Sequence, residues 1–394
     1  MLRVVHVVSS LDSGCGVTEV VITLAKHIDR QRFSLAVVEL GERGDRAPEL
    51  EEIGVTVRTM GGASCLSLRA VPANLRALWR LVRFLRAHRP HLVHCHEFFA
   101  GTIGRSAAIL AGTPMTVWGL HSADRWKKKT HVSIDRFLNR FTTALVTNSE
   151  AVKAFTVAQQ VPPGRVHVVW NGVDLSPFRE LGSRQAARTA LGLPPDVPVL
   201  GTVGRLTEQK GHRWLIEAAE LLKPRWPDLR VVIVGGEGHP SECVSESLRS
   251  LVRARHLEST VIFAGLRHDV PQLLPAFDVF VFPSLWEGFG LALVEAMAAS
   301  LPIVAARVDA IPEVIDEQRT GLIVPVRDSV ALAEAIAELL ESPDLRVALG
   351  AAGRARAFEL FSAQAFARRM QAVYEALAHD MSASAQLCCQ PSDW

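Results

Sequence analysis

The sequence predicts an α/β fold made of two doubly wound parallel sheets. Apolar runs of strand length alternate with amphipathic stretches of helix length through both halves of the chain. Helices of this length between strands favour parallel pairing with right-handed crossovers. Because 394 residues are many for one hydrophobic core, two domains are expected. We place them at 1–178 and 179–362, with a proline-containing hinge at 177–196, a last helix at 363–378 and a mobile tail at 381–394.

The order of elements follows from where the apolar pattern changes its period. Strands are predicted at residues 4–9, 34–40, 55–58, 92–96, 115–120, 144–148, 199–203, 230–234, 261–264, 279–282 and 303–305. Helices are predicted at residues 19–27, 72–88, 101–111, 211–222, 241–255, 269–277, 290–299 and 329–341. Open parallel sheets bind ligands beyond the carboxyl ends of their strands. The cleft between the two domains is therefore the expected site.

Composition excludes several classes of protein. Hydrophobic residues make up 48% of the chain and charged residues 21%, which is typical of a globular protein. The first apolar stretch is too short and too interrupted for a signal peptide, and no apolar run is long enough to span a bilayer. The six cysteines form no CxxC pair and have no histidine partner at metal-ligand spacing. We interpret them as reduced thiols of a cytosolic protein.

Charge is distributed unevenly, although the net charge is only +2. Residues 1–178 carry 22 Lys and Arg against 14 Asp and Glu, whereas residues 179–394 carry 21 against 27. A basic first half favours an anionic partner, either lipid headgroups or an acidic acceptor. We expect no nucleic acid among the partners.

The segment SLWEGFGLALVEAMA, residues 284–298, is the most informative part of the chain. It follows a predicted buried strand and opens a helix, so Glu287 and Glu295 lie at a strand-to-helix junction. Free backbone N–H groups and the partial positive charge of a helix N-terminus favour a bound phosphate. Carboxylates on both sides of bare amides suit a sugar joined to a diphosphate.

The turn between these two acids supports a binding function. Gly288 and Gly290 lack a Cβ atom, so a ligand could approach the backbone closely. An exposed turn with two solvated acids is the alternative. Trp286, Phe289 and the two glycines are poor choices for such a turn.

Two further glycine-containing loops follow strands of the second half. The loop at residues 201–212 presents Arg205 and Lys210, two cations that would neutralise a diphosphate leaving group. Taken alone, this loop is better explained as two solvated cations at a helix start; beside the Glu287 segment, diphosphate binding is favoured. The loop VGGEGH contains Gly236 and could pack against a base or ribose, although many such connections resemble it. Neither loop has the P-loop or dinucleotide-binding spacing.

In the first half, Gly16 and His121 each follow a strand. Gly16 could admit a diphosphate to the backbone, and a plain tight turn fits the same segment equally well. His121 could hydrogen-bond a sugar hydroxyl, although a lone histidine is more often structural. His94 and His96 point to the same face of one strand, but no set of acidic or cysteine partners completes a site, so we predict no metal.

Two basic segments of the first half are candidate surface contacts. The helix predicted at 72–88 carries Arg76, Arg80 and Arg83 on one face. Its other face is apolar and contains Leu75, Leu78, Trp79, Val82 and Leu85. We interpret this stripe as packing on the sheet, with contact to an anionic membrane as the alternative. The segment RWKKK, residues 125–129, is the better candidate for a surface contact, and a solvated charge run is its alternative.

Together these segments resemble a retaining glycosyltransferase of family 4, which has the GT-B architecture of two facing Rossmann-like domains. The resemblance spans nearly the whole chain, through HLVHCHEFFAG, TNSEAV, VVWNGVD, GRLTEQKG, VGGEG, FPSLWEGFGLALVEAMA and GLIVPVRD. The spacing of Glu287 and Glu295 matches the Glu-x7-Glu motif of that family. In the first loop the family usually has adjacent glycines, and this chain has Cys15 before Gly16.

The resemblance implies roles for the candidate residues, of which Glu287, His121, Arg205 and Lys210 are the candidate catalytic set. Arg205 and Lys210 would bind the donor diphosphate, Glu287 would contact the donor sugar, and His121 would hydrogen-bond that sugar. The remaining donor contacts would come from Gly16, Gly236, Gly288, Phe289, Gly290, Leu291 and Glu295, the last through the ribose hydroxyls. The last helix, about 363–380, would pack back on the first domain. No metal or other cofactor is expected.

The resemblance also implies an activity. A hexosyl group would move from a nucleotide sugar, with a UDP-sugar as the expected donor, to a glycan or lipid-linked acceptor. The reaction would take place at the cytoplasmic face of a membrane, in the synthesis of surface polysaccharide or glycolipid. Two alternatives are a sugar-nucleotide epimerase of the same fold and an inactive donor-binding subunit. The Glu-x7-Glu spacing and the Arg205/Lys210 pair argue against both.

Overall fold

The computed structural model describes residues 1–63, 68–237 and 243–388, and the chain divides into two compact units. Unit 1 contains Met1–Gly172 and the chain from Ala363 onward, whereas unit 2 contains Val173–Ser362. The chain thus enters unit 2 before residue 179, where the sequence placed the second domain. The backbone N–H of Val173 donates to the carbonyl of Phe361 at 2.9 Å, and Val173 also forms a parallel bridge with Ser362. These contacts tie the first and last segments of unit 2 together.

Unit 1 contains a seven-stranded parallel sheet in the order β3-β2-β1-β4-β5-β6-β7. Its strands are β1 Leu2–Val8, β2 Phe33–Glu39, β3 Thr56–Thr59, β4 Leu92–His96, β5 Met115–Leu120, β6 Ala144–Thr147 and β7 Val166–Val168. Its first helices are α1 Gly16–His27, α2 Ala47–Glu52, α3 Val71–His88, α4 Phe98–Ala111, α5 Lys129–Asn139 and α6 Glu150–Ala158. The strand order reverses between β1 and β4, and ligands of open parallel sheets bind at such a point.

Unit 2 contains a six-stranded parallel sheet in the order β10-β9-β8-β11-β12-β13. Its strands are β8 Val199–Val203, β9 Arg230–Val234, β10 Val261–Gly265, β11 Val279–Phe282, β12 Ile303–Ala306 and β13 Leu322–Val324. Its helices are α7 Arg184–Ala190, α8 His212–Leu222, α9 Ser245–Ala254, α10 Val270–Leu273, α11 Leu291–Ala298, α12 Ile311–Val314, α13 Ser329–Glu341 and α14 Pro343–Leu360. The order reverses between β8 and β11. The helix predicted from residue 241 begins at Ser245, and residues 241 and 242 lie outside the described residues.

The last helix, α15 Ala363–Cys388, belongs to unit 1. Its buried face places Phe366, Met370, Tyr374 and Leu377 in the same apolar cluster as α1 and β1. The helix continues to Cys388, so residues 381–388 of the predicted tail are helical. Alanine and glutamine in this stretch are good helix formers, which accounts for the extension. The rest of the predicted tail, residues 389–394, lies outside the described residues.

The central strands are buried because helices cover both faces of a parallel sheet. All four residues of β11 are buried, as are all five of β4. Full burial of each large apolar side chain contributes about 1.5–3 kcal/mol, so the strand ends that carry the loops are rigidly held. Within the described part of the chain, no helix combines the length and apolar character needed to cross a membrane.

Helix α3 corrects one prediction from the sequence. Leu75 and Trp79 were expected to pack on the sheet, yet they are 51% and 57% exposed. The predicted Val82 and Leu85 are buried, and Ala77 and Leu81 complete the core-facing row in place of Leu75 and Trp79. The predicted stripe was wider than the face that the sheet can cover, because the apolar positions of α3 span more than one side of the helix.

Candidate functional site

In unit 2, Glu287 lies in the loop between β11 and α11 and is held from three directions. Its carboxylate forms an ion pair with the ammonium group of Lys210. Its second oxygen accepts a hydrogen bond from Gln209 Nε2 at 3.0 Å, and its backbone N–H donates to Asp309 Oδ2 at 3.0 Å. Because Glu287 is only 7% exposed, these contacts fix both the position and the direction of the carboxylate.

Lys210 reaches Glu287 because the loop after β8 packs directly on the end of β11. Gly211 has a φ of +64°, and a Cβ atom there would lie 2.0 Å from the carbonyl oxygen of Pro283. No other residue type fits this approach without a shift of the backbone. The backbone N–H of Leu285 also donates to the carbonyl of Gln209 at 2.7 Å, so the two loops are joined.

The remaining predicted cation, Arg205, lies exposed in the same loop as Lys210. His212 Nε2 lies 3.1 Å from the Arg205 carbonyl oxygen, and burial lowers the pKa of His212 to about 4. His212 is therefore neutral at pH 7, and it holds the loop backbone without adding charge to the site.

The glycine-rich loop after β9 meets the Arg205 loop through its backbone. The N–H of Leu206 donates to the carbonyl of Gly236 at 2.9 Å. A Cβ atom on Gly235, whose φ is +155°, would lie 2.0 Å from the Gly204 oxygen. The loops after β9, β8 and β11, which are neighbours in the sheet, thus meet at the carboxyl edge. Gly238 and His239 of this loop lie outside the described residues.

Helix α11 begins next to Glu287 without a side-chain cap. Gly290, with a φ of +91°, is the residue before the helix, and it has no side chain that could cap the first-turn N–H groups. Phe289 is buried, and its ring packs edge-on against that of Phe361 with 5.5 Å between the ring centroids. Gly288 is buried, whereas Leu291 and Glu295 are half-buried. The structure thus places an uncapped helix start between the two predicted carboxylates.

In unit 1, Gly16 is the exposed first residue of α1, and a Cβ atom there would meet nothing within 4 Å. Nearby, Cys15 is in electrostatic contact with Glu97, and burial raises the pKa of both groups. Glu97 precedes α4 with a φ of +59° and accepts from Ser9 Oγ at 3.1 Å. A non-glycine residue in this strained conformation often lies at a functional site, and no sequence pattern indicated this conformation.

His121 follows β5 and is half-buried. Its carbonyl accepts from Asn148 Nδ2 at 2.9 Å, and its Nε2 lies 2.9 Å from His96 Nδ1. Burial lowers the pKa of His121 to about 4, so the ring is neutral at pH 7.

The His121 ring belongs to a larger histidine cluster that the sequence did not reveal. His94 and His96 do share a face of β4, with stacked rings 4.2 Å apart. His6 of β1 is the missing member, because it lies opposite His94 in the parallel register. His6, His94 and His96 each place one ring nitrogen within 4.8 Å of the others, close enough to be considered for a metal ion. Tyr374, the single tyrosine of the chain, closes the cluster from α15.

Comparison with known proteins identifies the family. The family described as glycosyl transferases group 1 matches residues 197–342, and glycosyltransferase family 4 matches residues 14–177. A D-inositol 3-phosphate glycosyltransferase of Streptomyces scabiei is 30% identical, over 94% of this chain and 88% of its own length. The chain therefore belongs to the family 4 glycosyltransferases, and it is a glycosyltransferase enzyme, as the sequence predicted.

Other relatives carry different substrate names. The alpha-maltose-1-phosphate synthase of Mycolicibacterium smegmatis is 32% identical over 72% of this chain and 78% of its own. The lipopolysaccharide core biosynthesis mannosyltransferase LpsB of Rhizobium meliloti is 31% identical, over 64% of this chain and 70% of its own length. Because the named substrates differ at similar identity, the relatives do not select an acceptor.

Solved structures confirm the predicted fold. The Anabaena protein HepE, crystallised with UDP, has a TM-score of 0.82 at 22% identity, over 95% of this chain and all of its own. WaaG, a glycosyltransferase involved in lipopolysaccharide biosynthesis, has a TM-score of 0.73 at 17% identity, over 93% of this chain and 98% of its own. The two parallel-sheet units therefore have the GT-B fold.

Proposed function

We propose that this glycosyltransferase moves a hexosyl group from a nucleoside diphosphate sugar to a glycan or lipid-linked acceptor. The proposed donor is a UDP-sugar, and the proposed transfer retains the configuration of the sugar. The observation that carries the proposal is the Lys210–Glu287 ion pair beside the uncapped start of α11. It sets one cation, one carboxylate and free amides side by side at the carboxyl edge of a sheet. A diphosphate and the sugar attached to it need these three groups.

Each group has a distinct task in the proposed reaction. Lys210, Arg205 and the amides of residues 288–291 stabilise the diphosphate as it gains negative charge. The bond between the anomeric carbon and the phosphate oxygen breaks, and the sugar passes through an oxocarbenium-like state. The acceptor hydroxyl attacks from the same face, and its proton passes to the departing phosphate. Glu287 and His121 contact the sugar, Glu295 contacts the ribose, and Gly16 and Gly236 admit the ligand to the backbone.

The proposed chemistry requires no metal ion or other cofactor, because the leaving charge is met by side-chain cations and backbone amides. The known relatives support the donor class. HepE was crystallised with UDP-glucose. A UDP-Gal:alpha-D-GlcNAc-diphosphoundecaprenol alpha-1,3-galactosyltransferase of Escherichia coli is 28% identical, over 70% of this chain and 72% of its own length. The latter also supports a lipid-linked acceptor and a role in surface polysaccharide synthesis.

Binding of the donor is tested by thermal unfolding with a panel of nucleoside diphosphates and nucleotide sugars. We expect UDP or a UDP-sugar to raise the melting temperature of the wild type, because a ligand that binds only the folded state stabilises it. At a concentration of 100 Kd the stabilisation is about 2.7 kcal/mol. Arg205→Ala should lose most of this shift, whereas Arg319→Ala, an exposed arginine elsewhere in unit 2, should retain it. A shift with no member of the panel would contradict the assigned donor site.

We also propose a peripheral position on the cytoplasmic face of an anionic membrane. Val71, Leu75 and Trp79 of α3 form an exposed apolar row that is flanked by Arg76, Arg80 and Arg83. An apolar row with arginines beside it suits the headgroup region of an anionic bilayer. Trp126 and Phe137 of the same unit are also exposed.

Vesicle binding tests this position. We expect the protein to bind vesicles that contain anionic phosphatidylglycerol and to bind neutral phosphatidylcholine vesicles weakly, with binding that weakens as salt rises. Leu75→Ser together with Trp79→Ser should reduce binding about tenfold or more. Ile109→Ser, at an exposed apolar residue of α4, serves as the control. Equal binding to both vesicle types, or none, would exclude the proposed surface.

A further inference from the structure

Five side chains of unit 1 form a continuous line of hydrogen bonds, the histidine wire, which ends at His121. His121 Nε2 lies 2.9 Å from His96 Nδ1, and His96 Nε2 lies 2.9 Å from His6 Nδ1. Tyr374 Oη then lies 3.4 Å from His6 Nε2 and 2.7 Å from His94 Nδ1. The wire therefore connects β5, β4, β1 and α15, and four of its five members are at most 2% exposed.

The number of protons in the wire limits its arrangements. Burial lowers the pKa of His6 to about 3 and those of His94 and His96 well below the usual value, so the rings are neutral at pH 7. A neutral imidazole has one N–H donor and one bare nitrogen acceptor. The direction of one hydrogen bond therefore fixes the direction of the next. Only two arrangements satisfy every link and also give the tyrosine proton an acceptor: all four rings carry the proton on Nδ1, or all four carry it on Nε2.

The two ends of the wire distinguish these arrangements. Among the described residues, His94 Nε2 and His121 Nδ1 are buried ring nitrogens without a hydrogen-bond partner. His94 is 1% exposed, whereas His121 is half-buried and follows the carboxyl end of β5. A buried donor without a partner is rarer in proteins than an under-used acceptor. The Nδ1–H arrangement leaves a bare acceptor on the fully buried His94. It places the spare N–H on His121, which is half-buried as a residue although its Nδ1 atom is covered in this structure.

We propose that the histidine wire holds His121 as the neutral Nδ1–H tautomer, so that His121 donates a hydrogen bond to an oxygen of its ligand. His6, His96 and Tyr374 are then positioning residues, because they act on the ligand only through His121. That the ligand oxygen belongs to the donor sugar rests on the proposed function; the tautomer itself does not.

A metal ion is the other occupant to consider. A Cβ atom on Gly119 would lie 2.7, 3.0 and 3.3 Å from His94 Nε2, His96 Nδ1 and His121 Nε2, so three nitrogens surround one point. If these atoms bound a metal, both His96 Nε2 and His94 Nδ1 would carry protons. His6 would then accept a hydrogen bond from His96 and donate one to Tyr374. The Tyr374 oxygen would receive hydrogen bonds from both His6 and His94, and its own hydroxyl proton would have no partner. The adjoining cavity has room for about one water molecule and no carboxylate lines it within the described residues. His6, a member of the group that could be considered for a metal ion, already uses both ring nitrogens, one toward His96 and one toward Tyr374, so a metal bound to His6 would break one of these hydrogen bonds. The wire keeps every hydrogen bond of the cluster, and a bound metal would not.

The tautomers are read from the ring ¹⁵N chemical shifts of the full chain, labelled in histidine, at pH 7.5 without ligand. The expected result is the Nδ1–H pattern for His6, His94, His96 and His121 together. Mixed patterns among the four would overturn the wire. A common Nε2–H pattern would overturn the proposed direction and make His121 an acceptor.

A variant two hydrogen bonds away from His121 tests transmission along the wire. In His6→Asn, the side-chain amide occupies the place of the His6 Nδ1 atom. Because an amide can either donate to His96 or accept from it, the hydrogen bond between residue 6 and His96 would no longer have a single direction. We expect His121 to change from one tautomer to a mixture of two. Met370→Leu, a buried change on α15 beside the same cavity, should leave the His121 pattern unchanged. A single His121 tautomer in folded His6→Asn would show that the wire does not set it.

Titration with Zn²⁺ alone separates the remaining outcomes. No uptake by the wild type is expected. Stoichiometric uptake that is lost in His94→Ala would overturn the wire in favour of a metal site. If the tautomers are as proposed but no nucleotide raises the melting temperature, the proposed donor site fails and the wire stands.

Discussion

Replacing Glu287 by glutamine is expected to lower the rate of sugar transfer by about 10²–10³-fold. Glutamine keeps the size of the side chain and its contact with Gln209, but it removes the negative charge that faces Lys210. An oxocarbenium-like transition state gains positive charge at the sugar, so a fixed carboxylate beside it lowers the barrier. The expected loss is therefore in kcat, with a smaller change in the KM for the donor.

A matched surface variant separates this effect from a general loss of structure. Glu220→Gln also removes one carboxylate of an ion pair in unit 2, but its partner is the exposed Arg255. We expect its turnover to be close to that of the wild type, because exposed pairs contribute little. The melting temperatures of both variants without ligand show whether each is folded. Near-normal transfer by folded Glu287→Gln would remove Glu287 from the reaction centre.

The junction that carries Glu287 could be predicted from sequence because its signals are local. An apolar run, a proline, a glycine-rich turn and a helical pattern follow one another within residues 279–298. The closeness of Lys210 to Glu287 follows from the fold as well, since β8 and β11 are neighbours at the point where the strand order reverses. Local pattern together with the α/β topology was therefore enough to bring these two residues together.

The residues that orient the candidate groups could not be predicted in this way. Asp309 accepts a hydrogen bond from the Glu287 N–H, and the two residues are 22 positions apart in the sequence. Tyr374 is hydrogen-bonded to His6, which is 368 positions away. Neither residue lies in a recognisable motif, and each contact depends on how distant elements pack. His6 is an intermediate case, because the β1–β4 register of this fold places it opposite His94. The same limit explains α3, where the periodicity located the apolar positions but not which of them the sheet would cover.

The buried histidines lead to a second large effect: the folded protein is expected to lose stability steeply as the pH falls from about 6.5 towards 4. Burial lowers the pKa of His6 to about 3 and that of His121 to about 4, and those of His94 and His96 fall well below the usual value. In this pH range the unfolded chain binds protons that the folded chain does not. Unfolding therefore takes up protons, and stability decreases as the pH is lowered.

The expected slope is about 1.4 kcal/mol per pH unit for each ring that is protonated only in the unfolded chain. It is measured from urea unfolding, followed by circular dichroism, at several pH values between 7.5 and 4.5. His94→Asn keeps a partner for Tyr374 but removes one titrating ring, so its stability should fall less steeply with acid than that of the wild type. His268→Gln, at an exposed histidine of unit 2, should retain the wild-type slope. If all three proteins share one slope, His94 is not held neutral by burial, and the single direction of the histidine wire loses its basis, because a protonated ring has two donors and no acceptor.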